Sequence, residues 1–314
     1  MSEKTFCVIG IDVAKESCEV AVLPERTHWS SSVVPTALTA LTERCRDLRP
    51  DLIVCEATGG YELPVVSALA AAALPIVVVN PRQVRDFAKA TGTLAKTDRL
   101  DAEVIARFGL AVRPPVRALP EAETRELQAY LARHRQLIEM LVAEQNRLPQ
   151  AQGMVRANIQ AHVAWLKQCL QDTDQQLRER LRASSAWREQ DDLLQSIPGV
   201  GPLTSAHCLA QLPELGRLNR REIAALVGLA PFNRYSGTLA GHRSIWGGRA
   251  CVRNALYMAT VSAIRCNPTI KPCYQHLIAS GKPPKVALVA CMRKLLVIMN
   301  AMFKTQTLWQ AQHA

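Results

Sequence analysis

Apolar residues are arranged in two ways along this chain. As far as position 79 they form short runs, at Phe6 to Ile11, Cys18 to Leu23, Leu52 to Cys55 and Ile76 to Val79. Such Val- and Ile-rich runs read as buried strands, with the second the hairpin partner of the first. Val33–Val34 reads as a further short strand. Leu38 to Leu48 and Tyr61 to Ala72 keep helical spacing. The resulting β-β-β-α-β-α-β order predicts a mixed sheet with helices on its faces, an α/β N-terminal domain.

Pro114–Pro115 and Pro120 interrupt this pattern. Beyond them apolar residues recur at Leu127, Leu131, Leu137, Ile138, Leu141 and Leu148. A second series runs through Ile159, Val163, Leu166, Leu170, Leu177 and Leu181. Both series keep helical spacing with charged residues between, so two long helices are expected, joined near Gln152–Gly153. An internal hairpin and a dimerising coiled coil fit this pattern equally. From Leu193 onward short helices punctuated by Gly and Pro are expected, giving a mainly α C-terminal part. The expected domains are residues 1–115, 116–190 and 191–314.

The charge divides unevenly. Of the net +11, residues 201–314 hold 14 Lys and Arg against 2 Asp and Glu, a balance of +12. The first 200 residues hold 24 against 25, a balance of −1. A basic C-terminal third on a near-neutral remainder points to a polyanionic partner, nucleic acid first. Hydrophobic residues make up 48% and aromatics 5%, so the core must be built from Ala, Leu, Val and Ile. The ten Cys form no C-x-x-C and lie in apolar runs, as at Cys7, Cys55 and Cys291. That argues against a zinc ribbon or a disulfide framework and suits a reducing compartment. The seven His have no ligand spacing. The longest apolar stretch, Val65 to Val79, contains Ser67 and Pro75 and is too short to cross a bilayer. The expected location is the cytoplasm, with no membrane partner.

Four carboxylates stand where a metal site needs them. Asp12 ends the first strand and Glu56 ends another. Each follows an apolar run, where an unpaired carboxylate would be costly. Asp98 and Asp101 are three residues apart and share a face if a helix starts there. Oxygen ligands at adjacent strand ends, faced by two more from a helix, suit a pair of hard divalent cations, Mg2+ or Mn2+. Taken alone, Asp98 and Asp101 also fit an ordinary acidic helix start.

Further on, Ser196-Ile-Pro-Gly-Val-Gly-Pro-Leu-Thr204 has the form of a helix-hairpin-helix turn. In it Gly199 and Gly201 allow a tight backbone and the following amides can meet a phosphate. A plain interhelical turn fits as well. Arg234, Arg243 and Arg249 lie in a Gly-rich segment, and guanidinium groups suit phosphate oxygens. Ser236 lies in the same segment beside Gly237. By composition it is a turn residue, and a serine needs help from a base, cations or metals to act as a nucleophile.

Gly-Ile-Asp-Val-Ala-Lys, Cys-Glu-Ala-Thr-Gly, Asn80–Pro81 and Lys-Thr-Asp-Arg-Leu-Asp-Ala resemble the N-terminal domain of the DEDD transposases, bacterial insertion-sequence recombinases related to the pilin-gene inverting recombinase. Ile-Pro-Gly-Val-Gly, Ala-Pro-Phe-Asn-Arg, Ser-Gly-Thr, Ile-Trp-Gly-Gly-Arg and Ala-Leu-Tyr-Met resemble that family's C-terminal transposase domain. The resemblance implies a ribonuclease-H-like, RuvC-like N-terminal fold with Asp12, Glu56, Asp98 and Asp101 as its metal-binding tetrad. It also implies strand exchange on DNA through a covalent intermediate on Ser236, with the tetrad of one subunit serving the serine of another in a homo-oligomer, a dimer or a tetramer. Some members are guided by a structured RNA encoded by the element, which makes such an RNA a candidate partner. Many members carry an acid before the serine. Tyr235 stands there in this chain and is an alternative nucleophile.

Three other readings stay open at this point. A structure-selective nuclease would need the tetrad but not Ser236. A non-catalytic DNA-binding protein would need neither. A sugar kinase or actin-like ATPase also begins Gly-Ile-Asp but wants a glycine-rich phosphate loop next, where Lys15 and Glu16 stand.

Overall fold

The computed structural model describes residues 6–93, 98–116, 120–232, 235–236, 239–240 and 244–311; at positions 98, 235, 236, 239 and 240 it describes the backbone. The chain divides into two compact units, residues 1–120 and 121–314.

The first unit runs β1 (Val8–Val13), β2 (Ser17–Leu23), β3 (Thr27–Ser32), α1 (Pro35–Asp47), β4 (Leu52–Glu56), α2 (Leu63–Ala71), β5 (Ile76–Val79), α3 (Pro81–Ala90) and α4 (Asp98–Val112). The five strands form one sheet in the order β3-β2-β1-β4-β5. β1, β2 and β3 pair antiparallel, whereas β4 and β5 continue parallel to β1. This is the expected ribonuclease-H-like mixed sheet. The third strand is Thr27–Ser32 rather than Val33–Val34. It is a polar edge strand whose large apolar residue is Trp29, covered by the Arg44 guanidinium 3.8 Å from the ring centroid. An edge strand exposed in this way carries little hydrophobic alternation for a sequence reading to find.

Period-two alternation sorts the strands onto two faces. Ile9, Ile11, Val13, Ile53 and Cys55 pack on one face with Leu38, Leu41, Val65 and Leu69 of α1 and α2. Val8, Leu52, Val54, Val77 and Val79 pack on the other with Val104, Ile105 and Phe108 of α4. On this second face α4 lies directly on β1. A Cβ on Gly10 would collide with the Ala102 carbonyl and the Ala106 amide, so backbone meets backbone there. At Gly109 an added Cβ would meet side chains, Val54 Cγ2 at 2.6 Å and Val8 Cγ1 at 2.8 Å. Ala102 and Ala106 thus sit over position 10 and Gly109 over position 8. The helix therefore runs antiparallel to β1 and β4.

The second unit begins with α5 (Ala122–Arg147) and α6 (Gly153–Ala183), joined by a single 3-10 turn at Leu148–Gln150. They form an internal antiparallel hairpin. Glu126–Arg180 (2.7 Å), His134–Asp174 (3.1 Å) and Glu144–His162 (3.3 Å) step along it, and Leu137 and Leu166 are buried. Leu127, Leu131, Leu177 and Leu181 pack on Ala206 and Ala210 of the helices that follow. These are α7 (Ser185–Gln195), α8 (Pro202–Gln211), α9 (Arg220–Val227), α10 (Ala250–Cys266), α11 (Ile270–Ala279) and α12 (Pro284–Thr305). Among the described residues between α9 and α10 are the short strands β6 (Pro231–Phe232), β7 (Tyr235–Ser236), β8 (Leu239–Ala240) and β9 (Ser244–Ile245). They pair as β6 with β9 and β7 with β8.

At 17 and 22 residues, α10 and α12 are not the short helices expected from Leu193 onward. α12 is long and apolar enough to cross a membrane, yet Cys291, Met292, Leu295, Leu296 and Met299 form the centre of this unit's core. A helix packed on several sides loses the one-faced periodicity by which surface helices are recognised.

The backbone contact at Gly10 makes a testable difference between two glycines. Gly10→Ala forces α4 away from the sheet and should cost about 1–3 kcal/mol, the range for overpacking. Gly109→Ala must displace methyls of the buried Val8 and Val54 but gains about 1 kcal/mol of helix propensity, so its loss should be the smaller of the two. Urea denaturation of the full chain checks this; equal losses for the two variants would contradict the close contact.

Candidate active site

The end of the sheet near α4's N-terminus collects carboxylates. Ile11 of β1 pairs in parallel register with Cys55 of β4. The next residues, Asp12, one before the end of β1, and Glu56, the last of β4, therefore stand side by side, a strand spacing of about 4.8 Å apart. Alternation puts Asp12 on the α4 face with Val8, and Glu56 on the same face with Val54. α4 runs antiparallel to both strands, and Ala102 lies over Gly10. Continuing towards the N-terminus of α4, Asp101 and position 98 come to the end where Asp12 and Glu56 stand. Asp12, Glu56 and Asp101 are each half-buried. The backbone of Asp98 opens α4, and its side chain lies outside the described residues.

A fifth carboxylate shares this face. Glu19 of β2 is the antiparallel partner of Asp12. The alternation in Ser-Cys-Glu-Val-Ala-Val-Leu carries the signal for it, once β2 is known to pair with β1. The electrostatics reflect the gathering of negative charge. Burial first, then Glu19 and, more weakly, Asp12, push the Cys18 thiol up to about 11, against a lowering hydrogen bond from the Ser31 backbone. The Cys55 thiol is pushed further up, by burial and then by Glu62, Asp12, Cys18 and Glu56.

Glu62 explains how the loop after Glu56 is held. Its buried carboxylate accepts hydrogen bonds from the Thr58 amide (3.0 Å), the Thr58 hydroxyl (3.1 Å) and the Gly60 amide (2.8 Å). Sequence reasoning passed over Glu62 because a Glu at a helix start is commonplace. On the next connection, the Asn80 side chain caps α3 by accepting from the Arg82 amide at 2.9 Å, and Pro81 occupies the first turn.

Among the described residues, no three His, Cys, Asp or Glu side chains form a ready-made metal cluster. The donor set nevertheless fits a hard cation chemically. It consists of carboxylate oxygens on adjacent strands and a facing helix, the ligand type that hard divalent cations take.

The residues expected in the second unit are placed as follows. Gly199, at φ 100°, lies in the turn between α7 and α8, where a Cβ would come within 2.7 Å of the Ala263 backbone of α10. Its small size serves close packing there. Gly201 precedes α8 in extended conformation, with open space where a side chain would be. Ser236 ends β7, and its backbone pairs with Leu239. The side chains of Ser236 and Tyr235, and Arg234 and Arg243 altogether, lie outside the described residues. Arg249 is half-buried and tied to neighbouring elements. Its guanidinium donates to both carboxylate oxygens of Glu214, at 2.5 and 2.6 Å, and to the Gln211 carbonyl at 2.8 Å. Arg253, which the sequence reading did not single out, donates to the Val227 carbonyl at 3.0 Å and the Gly247 carbonyl at 2.5 Å. Together the two arginines tie the segment before α10 to α8 and α9.

Two family profiles match the chain. A profile described as a transposase, of the DEDD type of IS110, matches residues 9–151. One described as transposase, IS116/IS110/IS902 family, matches residues 191–275. Among individual proteins, the chain is 25% identical to the pilin gene-inverting protein of Moraxella bovis, over 96% of each chain. It is 24% identical to the transposase for insertion sequence element IS1111A of Coxiella burnetii (strain RSA 493 / Nine Mile phase I), over 75% of this chain and 71% of that one. Among solved structures, RuvC of T. thermophilus in complex with a Holliday junction substrate is similar over 34% of this chain and 96% of its own, at 16% identity and a TM-score of 0.29. With a transposase profile matched at each end and in order, the chain belongs to the DEDD transposases of the IS110/IS116/IS902 insertion sequences.

Proposed function

We propose that this transposase cuts and rejoins DNA with Asp12, Glu56, Asp98 and Asp101 as a metal-holding tetrad and Ser236 as the nucleophile. The observation that carries the first part is the direction of α4. Running antiparallel to β1 and β4, it brings its acidic first turn to the strand ends that bear Asp12 and Glu56. An all-oxygen set of this kind suits Mg2+ or Mn2+. When bound, such cations favour the ionised form of the attacking hydroxyl and offset charge on the phosphoryl oxygens.

The serine step balances without an energy source. The Ser236 hydroxyl loses its proton, its Oγ bonds to phosphorus, and the bond from phosphorus to the departing sugar oxygen breaks, that oxygen taking up a proton. One phosphodiester replaces another, so the reverse attack by a different strand end completes the exchange without nucleotide hydrolysis. The match of Ser-Gly-Thr to the family's serine motif supports this assignment. Gly201 at the start of α8, with Arg234 and Arg243, is our candidate set for phosphate contacts. Arg249 serves the fold through Glu214. A structured guide RNA belongs to this reading as a partner some family members use.

The working form is a homo-oligomer, supported by apolar residues on the outside of the hairpin. Val142 is 47% exposed, Val155 62% and Trp165 55%, with His162 stacked beside Trp165.

Asp12→Asn and Asp101→Asn should each abolish metal-dependent DNA cleavage while leaving the thermal transition in place. Full activity in both would reject the tetrad. Ser236→Ala should bind DNA but form no covalent protein–DNA adduct, whereas Tyr235→Phe should still form it. An adduct mapped to Tyr235 would reverse that assignment, and cleavage with no adduct in the wild type would mark a nuclease. Mixing Asp12→Asn with Ser236→Ala subunits should restore part of the activity if different chains supply the two functions.

For the oligomer, Val142→Asp with Trp165→Asp should lower the mass seen by sedimentation. Both residues are exposed, so the hairpin itself should stay folded. A wild type that remains monomeric on DNA would contradict the oligomer.

A further inference from the structure

The second unit carries a basic groove that neither the tetrad nor the serine segment uses. Arg220 and Arg221 open α9, and Arg293 and Lys294 stand on α12. Together with Ala290, Val297, Ile298 and Ala301 they line a groove of about 560 Å³. On α12 the lining positions 290, 293, 294, 297, 298 and 301 follow helical spacing, so they form one continuous stripe. Its floor is aliphatic, and the charges sit along it.

No carboxylate is among the lining residues described. The two acids of residues 201–314 have other partners. Glu214 holds Arg249, and Glu222 accepts from the Asn219 amide at 3.0 Å in the capping box of α9. Four cations over an apolar floor, in a concave surface with lowered dielectric, attract a polyanion more strongly than the same charges spread over a convex face.

The lining also tells which polyanion fits. Single-stranded nucleic acid is held chiefly by aromatic platforms on which bases stack, and adenine edges are read by Asn or Gln, whereas Arg and Lys serve phosphates as well as guanine. Among the described residues its lining has neither aromatic rings nor amide side chains. Its donors are guanidinium and ammonium groups alone, which suit phosphates whose bases are already stacked and paired.

We infer that the α9–α12 groove is a sequence-independent docking site for the sugar–phosphate backbone of duplex DNA. The inference rests on the reading of the chain as a DNA-processing enzyme and adds a surface on which a duplex is gripped. It also gives the excess charge of residues 201–314 a definite place of action.

The test measures duplex affinity of the full-length protein as a function of salt. The variants are Arg220→Gln with Arg221→Gln, and Arg293→Gln with Lys294→Gln, which keep much of the aliphatic stems. Removing one cation from a phosphate should lower the slope of log affinity against log salt by about 0.9, so each pair should reduce it by up to about 1.8. The loss should be the same for unrelated duplex sequences, and adduct formation at saturating DNA should persist. Lys271→Gln with Lys282→Gln, exposed cations outside the groove, should change the slope less.

An unchanged slope in both groove variants, or an equal loss in the control pair, overturns the groove. So does a loss confined to a structured RNA probe or to single strands. If Arg293→Gln with Lys294→Gln lowers the melting temperature, the α9 pair decides, because Arg220 and Arg221 are exposed. A wild type with no salt-dependent duplex affinity would defeat the DNA reading itself and the groove with it, whereas unchanged variants of a binding wild type defeat the groove alone.

Discussion

The N-terminal unit depends on a close contact between two backbones. Gly10 lets α4 lie on β1 with no side chain between them, and Ala102 and Ala106 supply a helix face of methyl groups alone at that point. Packing through long side chains tolerates sliding, since rotamers adjust. Packing of a helix backbone on a strand backbone does not. The acidic turn of α4 begins four residues before Ala102, and Asp12 lies two residues beyond Gly10. A slip of one helical turn, about 5.4 Å, would carry Asp101 out of reach of the strand ends. The glycine thus fixes the axial position of a carboxylate it never touches. Catalytic groups need placement to within about half an ångström, and a rigid helix on a rigid strand provides it better than a loop does.

Much of this was legible in the chain because burial leaves a composition signature. Val-Ile-Gly-Ile and Leu-Ile-Val-Cys could only be interior strands, and so the acids that end them, Asp12 and Glu56, stood out. What escaped the sequence had weak or long-range signals. β3 is a polar edge, and α12 is buried on several sides, so neither shows one-faced periodicity. Glu19 gains meaning only from its register against Asp12, which a hairpin of unknown turn length does not specify. Glu62 looks like any helix-start acid until its three hydrogen bonds to the Thr58–Gly60 loop are seen. Arg249 is a further case. In a Gly-rich basic segment it reads as a phosphate ligand, but Glu214, 35 residues away, takes both arms of its guanidinium. Local composition cannot reveal a partner at that separation.

The same ion pair shows how the charge of the second unit is arranged. Residues 201–314 contain two acids, and folding uses both, one to anchor the segment before α10 and one to cap α9. Each use removes a carboxylate from the pool that could mask surface cations. Arg217, Arg220, Arg221, Arg265, Lys271, Lys282, Lys285 and Lys304 are exposed. Residues 201–314 therefore present a field of one sign, which is self-repelling in the free protein and is relieved by a polyanion.

The carboxylate edge has the opposite sign, and this sets a constraint on how DNA can be handled. Asp12, Glu19 and Glu56 stand in a row across β1, β2 and β4, and Asp101 approaches from α4. A phosphate brought there without counter-charge would be repelled by several carboxylates at short range, a cost that grows as water is excluded. In the proposed reading, affinity comes from the basic residues 201–314, and the edge receives a phosphate together with the cations that the tetrad would hold. Binding then follows the number of phosphates matched to cations and falls with salt, whereas chemistry follows the placement of a few oxygens on a stiff scaffold. On the proposed assignments, separating the two would let the protein hold duplex of any sequence firmly while the carboxylate edge selects a phosphate that arrives with its counter-charge in place.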